Sequence, residues 1–293
     1  MMKRISKMIL TFILILGVAL GVSNVTHASI DELLGEPAVV YGGNLTDGQK
    51  EEVKRLLEVN SEDVNEFTVT GQDLQKYIGG NPNSRMFSSV KITQKDNGHG
   101  IVVNIITAEN ITEVTSEMYN NALLTAGVEN ALVEVASPVQ VSGHSALTGI
   151  YKAYDASGAE LDEGRMEVAN EELSISTELA EKEGMSKEKV TELMTEIKKE
   201  IAEKDPATRE DVEEIVKDQL SKLEIELSEE DRQLLIDLFE KMRDLNIDFD
   251  KVREQLEDLT STIKDKLGDI EIDEGFWEKV INWFKNLFNS ILG

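Results

Sequence analysis

Residues 90–106 read VKITQKDNGHGIVVNII, two apolar, β-branched runs separated by a glycine- and asparagine-rich turn. Val90–Gln94 and Ile101–Ile106 have the composition of strands, and Asp96-Asn97-Gly98-His99-Gly100 between them supplies residues that tolerate positive φ. The stretch predicts a β-hairpin. Its surroundings decide what kind of sheet holds it. Upstream, Ala38–Tyr41 (AVVY) is a strand broken by Gly42-Gly43, and Thr46-Asp47-Gly48-Gln49 places a capping threonine three residues before a glutamine that can reach back to it. Val53, Leu56 and Leu57 extend that helix as an apolar stripe, and Phe67–Thr70 (FTVT) is a further strand. Downstream, Ser116–Ala126 is helical and stops at Gly127, Ala131–Ala136 (ALVEVA) alternates again until Pro138, and Ser145–Tyr154 and Gly164–Leu179 are helical. Crossover units produce parallel strand pairs and a hairpin produces an antiparallel one. The expected fold is therefore α+β (or α/β) with a mixed sheet.

Beyond about Gly184 the strand patterns cease. Val190, Leu193, Met194, Ile197 and Ile201 form one helix face, and Asp205-Pro206 ends it. Thr208 can cap a second helix carrying Val212, Ile215, Val216, Leu220 and Leu223. Ser228 starts a third with Leu234, Leu235, Leu238, Phe239 and Met242, and a fourth carries Val252, Leu256, Leu259, Ile263 and Leu267. Short connections between amphipathic helices predict an antiparallel bundle or stacked hairpins, with the acid-rich faces as solvated surface. The expected organisation is a leader at 1–28, a mixed-sheet domain at 29–183, a helical bundle at 184–268, and an acidic linker with a terminal amphipathic helix at 269–293.

The first 28 residues read as a cleavable secretory signal, with an uncleaved anchor helix as the competing reading. A basic start (MMKRISK) precedes the uncharged apolar run Met8–Val22, and Thr26-His27-Ala28 offers a small-residue exit before Ser29. The apolar run is shorter than a membrane span requires. Cleavage after Ala28 predicts a secreted or cell-envelope protein. The 293-residue chain has 57 acidic and 30 basic residues, a net charge of −27. Lys3, Arg4 and Lys7 leave with the leader, so 57 acids then face 27 bases, a net of −30. Such a field repels nucleic acid and anionic polymers. Cysteine is absent, which excludes disulfides, thiolate metal sites, thiol catalysis and a lipidated-cysteine anchor.

The stretch SEMYNNALLTAGVENALVEVASPVQVSGHSALTGIYKAY at 116–154, with NLTDGQK at 44–50, SSVKIT at 88–93 and NEELSISTELAE at 170–181, resembles the YpuA-like family of exported Firmicutes proteins. The resemblance runs from about residue 31 to the aromatic C-terminus. It implies an exported, envelope-associated protein of a Gram-positive bacterium, in a family without an established biochemical activity and with no catalytic residues to carry over.

Motifs that bear chemistry are weak. Gly143-His144-Ser145-Ala146-Leu147 suggests a nucleophile elbow, but that turn needs a second glycine where Leu147 stands. A tight helix entry with Ser145 as cap explains the same residues. After the leader only His99 and His144 remain, too few with no cysteine for an ordinary zinc site. Calcium is not favoured: Asp155–Gly164 and Asp269–Gly275 offer carboxylates, yet the first misplaces its glycine for an EF-hand loop and lacks a glutamate at its twelfth position. The second alternates acids with isoleucines, as a strand-like linker would. No carboxylate pair stands out among 57 acids, and no phosphate-binding or dinucleotide fingerprint occurs. No cofactor is implied. A non-enzymatic binding or structural protein is favoured, with an extracellular hydrolase using carboxylates or Ser145 as the alternative.

Phe276–Leu292 (FWEKVINWFKNLFNSIL) departs from the rest. On a helix, Phe276, Trp277, Val280, Ile281, Trp283, Phe284, Leu287, Phe288, Ile291 and Leu292 fill one half of the circumference, opposite asparagine, lysine and serine. So large an apolar face needs cover, from its own bundle, a protein partner or a membrane interface. The residues expected to make that contact are Phe276, Trp277, Val280, Trp283, Phe284, Leu287, Phe288 and Ile291.

Overall fold

The computed structural model describes residues 35–269, apart from 61–63, 160, 183–184, 246 and 248. The leader, the boundary at Gly184 and the terminal segment therefore lie outside the described residues.

In chain order the elements are β1 (Ala38–Gly42), α1 (Asp47–Leu56), β2 (Asn65–Val69), α2 (Gly71–Ile78), β3 (Ser89–Gln94), β4 (Ile101–Ile105), α3 (Ser116–Ala126), β5 (Ala131–Ala136), α4 (Ser145–Ser157), α5 (Glu163–Glu181), α6 (Lys187–Lys204), α7 (Arg209–Lys222), α8 (Glu229–Asp244) and α9 (Phe249–Asp269). The fold is α+β. Local signals set most boundaries: Thr46 and Gln49 close the expected capping box, Thr208 and Ser228 cap α7 and α8, and Gly127 ends α3 at φ +96°. The expected strand pattern did not include α2, although Thr70 and Asp73 form a capping box for it. Ser145 is the first residue of α4 and not its cap; His144 occupies the cap position in a helical conformation, without a side-chain cap bond.

The sheet order is β2-β1-β3-β5-β4, with β1/β2 and β4/β5 parallel and β1/β3 and β3/β5 antiparallel. It is mixed, as expected, but the hairpin is not formed. β3 and β4 are separated by β5, which pairs along its whole length with β3 and with β4 from Ala131 to Val135. The crossover β4-α3-β5 returns the chain parallel to β4, and it inserts between the two runs. The connecting loop then spans two strand spacings, about 9.6 Å at roughly 4.8 Å each. Asn130, just before β5, holds it there. Its Oδ1 accepts from Gly98 N (2.9 Å) and Gly100 N (3.1 Å), and its carbonyl accepts from Lys95 N (3.1 Å). Gly98 and Gly100 have φ of +86° and +72°, so the glycines serve the turn as read, though the strands they join are not neighbours.

One face of the sheet packs α1 through Val39, Tyr41, Val53, Leu57 and Ala136. The opposite face, with Val40, Val90, Ile92, Val133 and Val135, packs α4 and is continuous with the core of α3, α5 and α6. α6 lies against α3 and α5, α8 against α5, and α9 against α6. A single hydrophobic cluster thus runs from Ala38 to Leu256. Inside it sits an ion pair that the pattern of solvated acid-rich faces did not anticipate. Lys198 Nζ of α6 is 2.6 Å from Glu172 Oε1 of α5, with side chains 0% and 1% exposed. Thr125 of α3 donates to Glu172 Oε2 (2.6 Å), and Lys198 also donates to the Asn121 carbonyl (2.8 Å). The pair joins three helices drawn from both sides of residue 184.

Candidate functional site

β4 is an edge strand, and its free edge faces α9. Ile106 N donates to Val135 O and Gly100 O accepts from Ala131 N, so the even-numbered residues turn their main-chain groups toward β5. The odd-numbered ones point outward. At Ile101 those groups are occupied: N–H donates to Gln255 Oε1 of α9 (3.1 Å), and the carbonyl accepts from Asn120 Nδ2 of α3 (2.9 Å). The outward groups of Val103 and Ile105 meet no partner among the described residues. On the same sheet face as Val39 and Ala136, beyond the residues that α1 packs, Val102 and Ile106 are 40% and 38% exposed, the exposed large apolar side chains among the described residues.

Between β4, the start of α3 and α9 lies a cleft of about 280 Å³. Ile101, Val103 and Leu259 give it an apolar floor; Glu117 and Asp258 give it negative charge. Lys266 of α9 pairs with Glu117, whereas Asp258 is exposed. Gly100, at φ +72°, lines the cleft, and an added Cβ there would stand 3.3 Å from Gln255 Oε1. His99 also lines it, with Nδ1 3.2 Å from the Gly100 carbonyl.

The elbow-like sequence builds something else. Gly143 has φ +112° and is pressed against Ile111 and the Tyr119 hydroxyl, which donates to the Gly143 carbonyl (2.6 Å). The bend turns His144 toward α5. Its Nδ1 lies 3.1 Å from Ser142 Oγ and its Nε2 3.1 Å from Thr177 Oγ1. Thr177 donates to the Ser174 carbonyl (2.9 Å), so toward the imidazole it accepts; Nε2 carries the proton and Nδ1 accepts from Ser142. Burial lowers the His144 pKa, against the pull of Glu113 and Glu181. The structure brings His144 together with Ser142, Thr177 and Glu113, and it does not bring it to Ser145.

The Lys198–Glu172 pair is the other strongly perturbed group. Burial pushes the lysine below its ordinary range, with Glu172 opposing. Perturbation of this kind marks many catalytic lysines, but here each polar contact is to neighbouring helices, and the pair acts as a structural junction. Asp155, from the carboxylate stretch 155–164, accepts from Lys76 Nζ (2.7 Å) and the Tyr77 hydroxyl (2.8 Å), and Asp162 caps α5. Among the described residues no group of three or more His, Asp or Glu converges as metal ligands would. Phe276, Trp277, Val280, Trp283, Phe284, Leu287, Phe288 and Ile291 lie outside the described residues. Among the described residues no helix is long and apolar enough to cross a membrane.

The β4 cleft was missed by sequence reasoning, because an edge is a property of sheet order. Its signal was present all the same: a strand, IVVNI, with no charge and no proline.

Comparison with known proteins agrees with the resemblance read from residues 116–154. The chain is 38% identical over 273 residues to the uncharacterized protein YpuA of Bacillus subtilis (strain 168), covering 89% of this chain and 90% of that relative. No solved structure is significantly similar. The family described as "Protein of unknown function (DUF1002)" matches residues 41–259, most of the described fold and both walls of the cleft, and the chain belongs to that family.

Proposed function

We propose that this chain is an exported, envelope-associated protein that binds a partner and performs no catalytic step. The observation that carries the binding reading is the edge of β4: an uncharged strand whose outward main-chain groups at Val103, itself 7% exposed, and at Ile105 meet no partner among the described residues, beside exposed Val102 and Ile106. Native sheets protect such edges, and this one is covered at Ile101 by Gln255 and Asn120, so the remainder of its length is a surface for association. The leader at 1–28 supports export, and the amphipathic pattern of 276–292 supports attachment to a membrane interface or an envelope protein. The hydrolase alternative is weakened at Ser145, whose neighbouring imidazole is bonded to Ser142 and Thr177.

Fractionation tests the reading. The chain and a version lacking residues 276–293 are produced in a Gram-positive host, and both are followed into envelope and medium. The full chain is expected with the envelope and the shortened one in the medium; equal partitioning would remove the association role. Labelling of the mature protein by a fluorophosphonate probe, lost in Ser145→Ala, would establish the hydrolase reading instead.

A further inference from the structure

We propose that the cleft between β4 and α9 receives an extended segment of a partner protein, with lysine or arginine alternating with apolar residues, as a sixth strand on β4. The inference rests on the binding reading and names the site and the chemistry of its partner.

An edge strand facing a helix across a groove is one of the recurring ways in which sheets capture extended peptides: main-chain bonds hold the segment, and alternate side chains select it. Both parts are in place. Val103 and Ile105 present outward N–H and C=O groups in register with those of Ile101, which Gln255 and Asn120 already satisfy as a neighbouring strand would. The opposite edge of the sheet is guarded differently. β2 carries Glu66, held by Lys54 at 3.1 Å, and charge of this kind discourages strand addition. β4 has no such guard.

The cleft selects for shape and charge. At about 280 Å³ it falls below the usual small-molecule range of roughly 300–1,000 Å³, and the consecutive residues His99–Val103 line it. Side chains of an added strand alternate between two faces. One set lies beside Val102 and Ile106, where apolar residues are favoured. The other set faces the start of α3 and α9, where Glu117 is shared with Lys266 and the exposed Asp258 has no ion-pair partner among the described residues. A cation there complements Asp258. A second copy of this chain is a poorer occupant, because it brings the same uncharged strand, the same carboxylates and a net charge of −27.

The test uses the full mature chain and three fluorescein-labelled pentapeptides in an anisotropy titration: Val-Lys-Val-Lys-Val, the same peptide with proline at its centre, and Val-Glu-Val-Glu-Val. The first should bind saturably, and the other two at least about tenfold more weakly. The proline peptide keeps the charge, so general attraction to the acidic body cannot separate it from the parent. Asp258→Lys, at an exposed position, should weaken the lysine peptide about tenfold. Val103→Pro deletes an outward N–H and no bond to β5, and should abolish binding with an unchanged circular dichroism spectrum. Equal binding of the proline and parent peptides, undiminished binding in Asp258→Lys, or no binding of the parent up to millimolar protein would each overturn the proposal. Envelope association that depends on residues 276–293 without any peptide binding would refute this inference and leave the functional reading standing. Peptide binding without envelope association would do the reverse.

Discussion

Lys198→Met should lower the stability of both halves of this protein at once. Lys198 and Glu172 are 2.6 Å apart and no more than 1% exposed. Methionine fills a similar volume but leaves Glu172 as a buried carboxylate held by the Thr125 hydroxyl alone among the described residues. Breaking a buried pair from one side costs roughly 3–5 kcal/mol. For a chain of this size each kcal/mol moves the midpoint by about 2–4 °C, so the drop should fall between roughly 6 and 20 °C. Glu172→Gln added to Lys198→Met removes the stranded charge and should restore part of the loss. The assay follows two signals. All five tyrosines, at 41, 77, 119, 151 and 154, lie before residue 184, so their second-derivative absorbance, resolved from that of Trp277 and Trp283, reports the sheet half. Far-UV circular dichroism is dominated by helices, including α6–α9. With one hydrophobic cluster from Ala38 to Leu256, both signals should shift together in a single transition. A loss below about 1 kcal/mol would refute the account of the pair. Separate transitions, with only the helical signal moved, would refute the coupling and favour halves that part near Gly184.

Further expectations follow from the same structure. Gly143→Ala places a Cβ 2.8 Å from Ile111 Cγ2 and from the Tyr119 hydroxyl at φ +112°, and should cost roughly 2–4 kcal/mol in urea unfolding; a neutral result would show that the loop yields freely. His144 takes up a proton near 6.5 when unfolded, whereas burial lowers that value in the fold against Glu113 and Glu181. The unfolded chain then binds more protons in that interval, so stability present above pH 6.5 is lost as pH falls through the folded value. His144→Gln should remove this part of the slope between pH 7.5 and 5.5, and an unaltered slope would assign it elsewhere. Secreted material should begin at Ser29 on N-terminal sequencing, and a start at Met1 would rule out cleavage after Ala28.

Much of the secondary structure was legible because its causes are local. A capping threonine and its partner lie three residues apart, as at Thr46–Gln49 and Thr208–Asp211, and a helix can end on one glycine, as at Gly127. Such contacts need no distant segment. Strand order is different. The turn at Asp96–Gly100 suits a hairpin, and its glycines do adopt positive φ, but whether β3 meets β4 depends on where β5 lands, more than twenty residues later. The same holds for the buried pair: Lys198 sits in EIKKEI, which reads as a solvated stretch until α3 and α5 close over it. The candidate site lies wholly on that side of the division. The absence of charge in IVVNI is written in the sequence, yet it describes a buried strand as well as a bare one. Only the insertion of β5 on one flank, and of α9 across a gap on the other, turns Val103 and Ile105 into an open edge, because hydrogen-bonding partners in a sheet are chosen between segments and not within them.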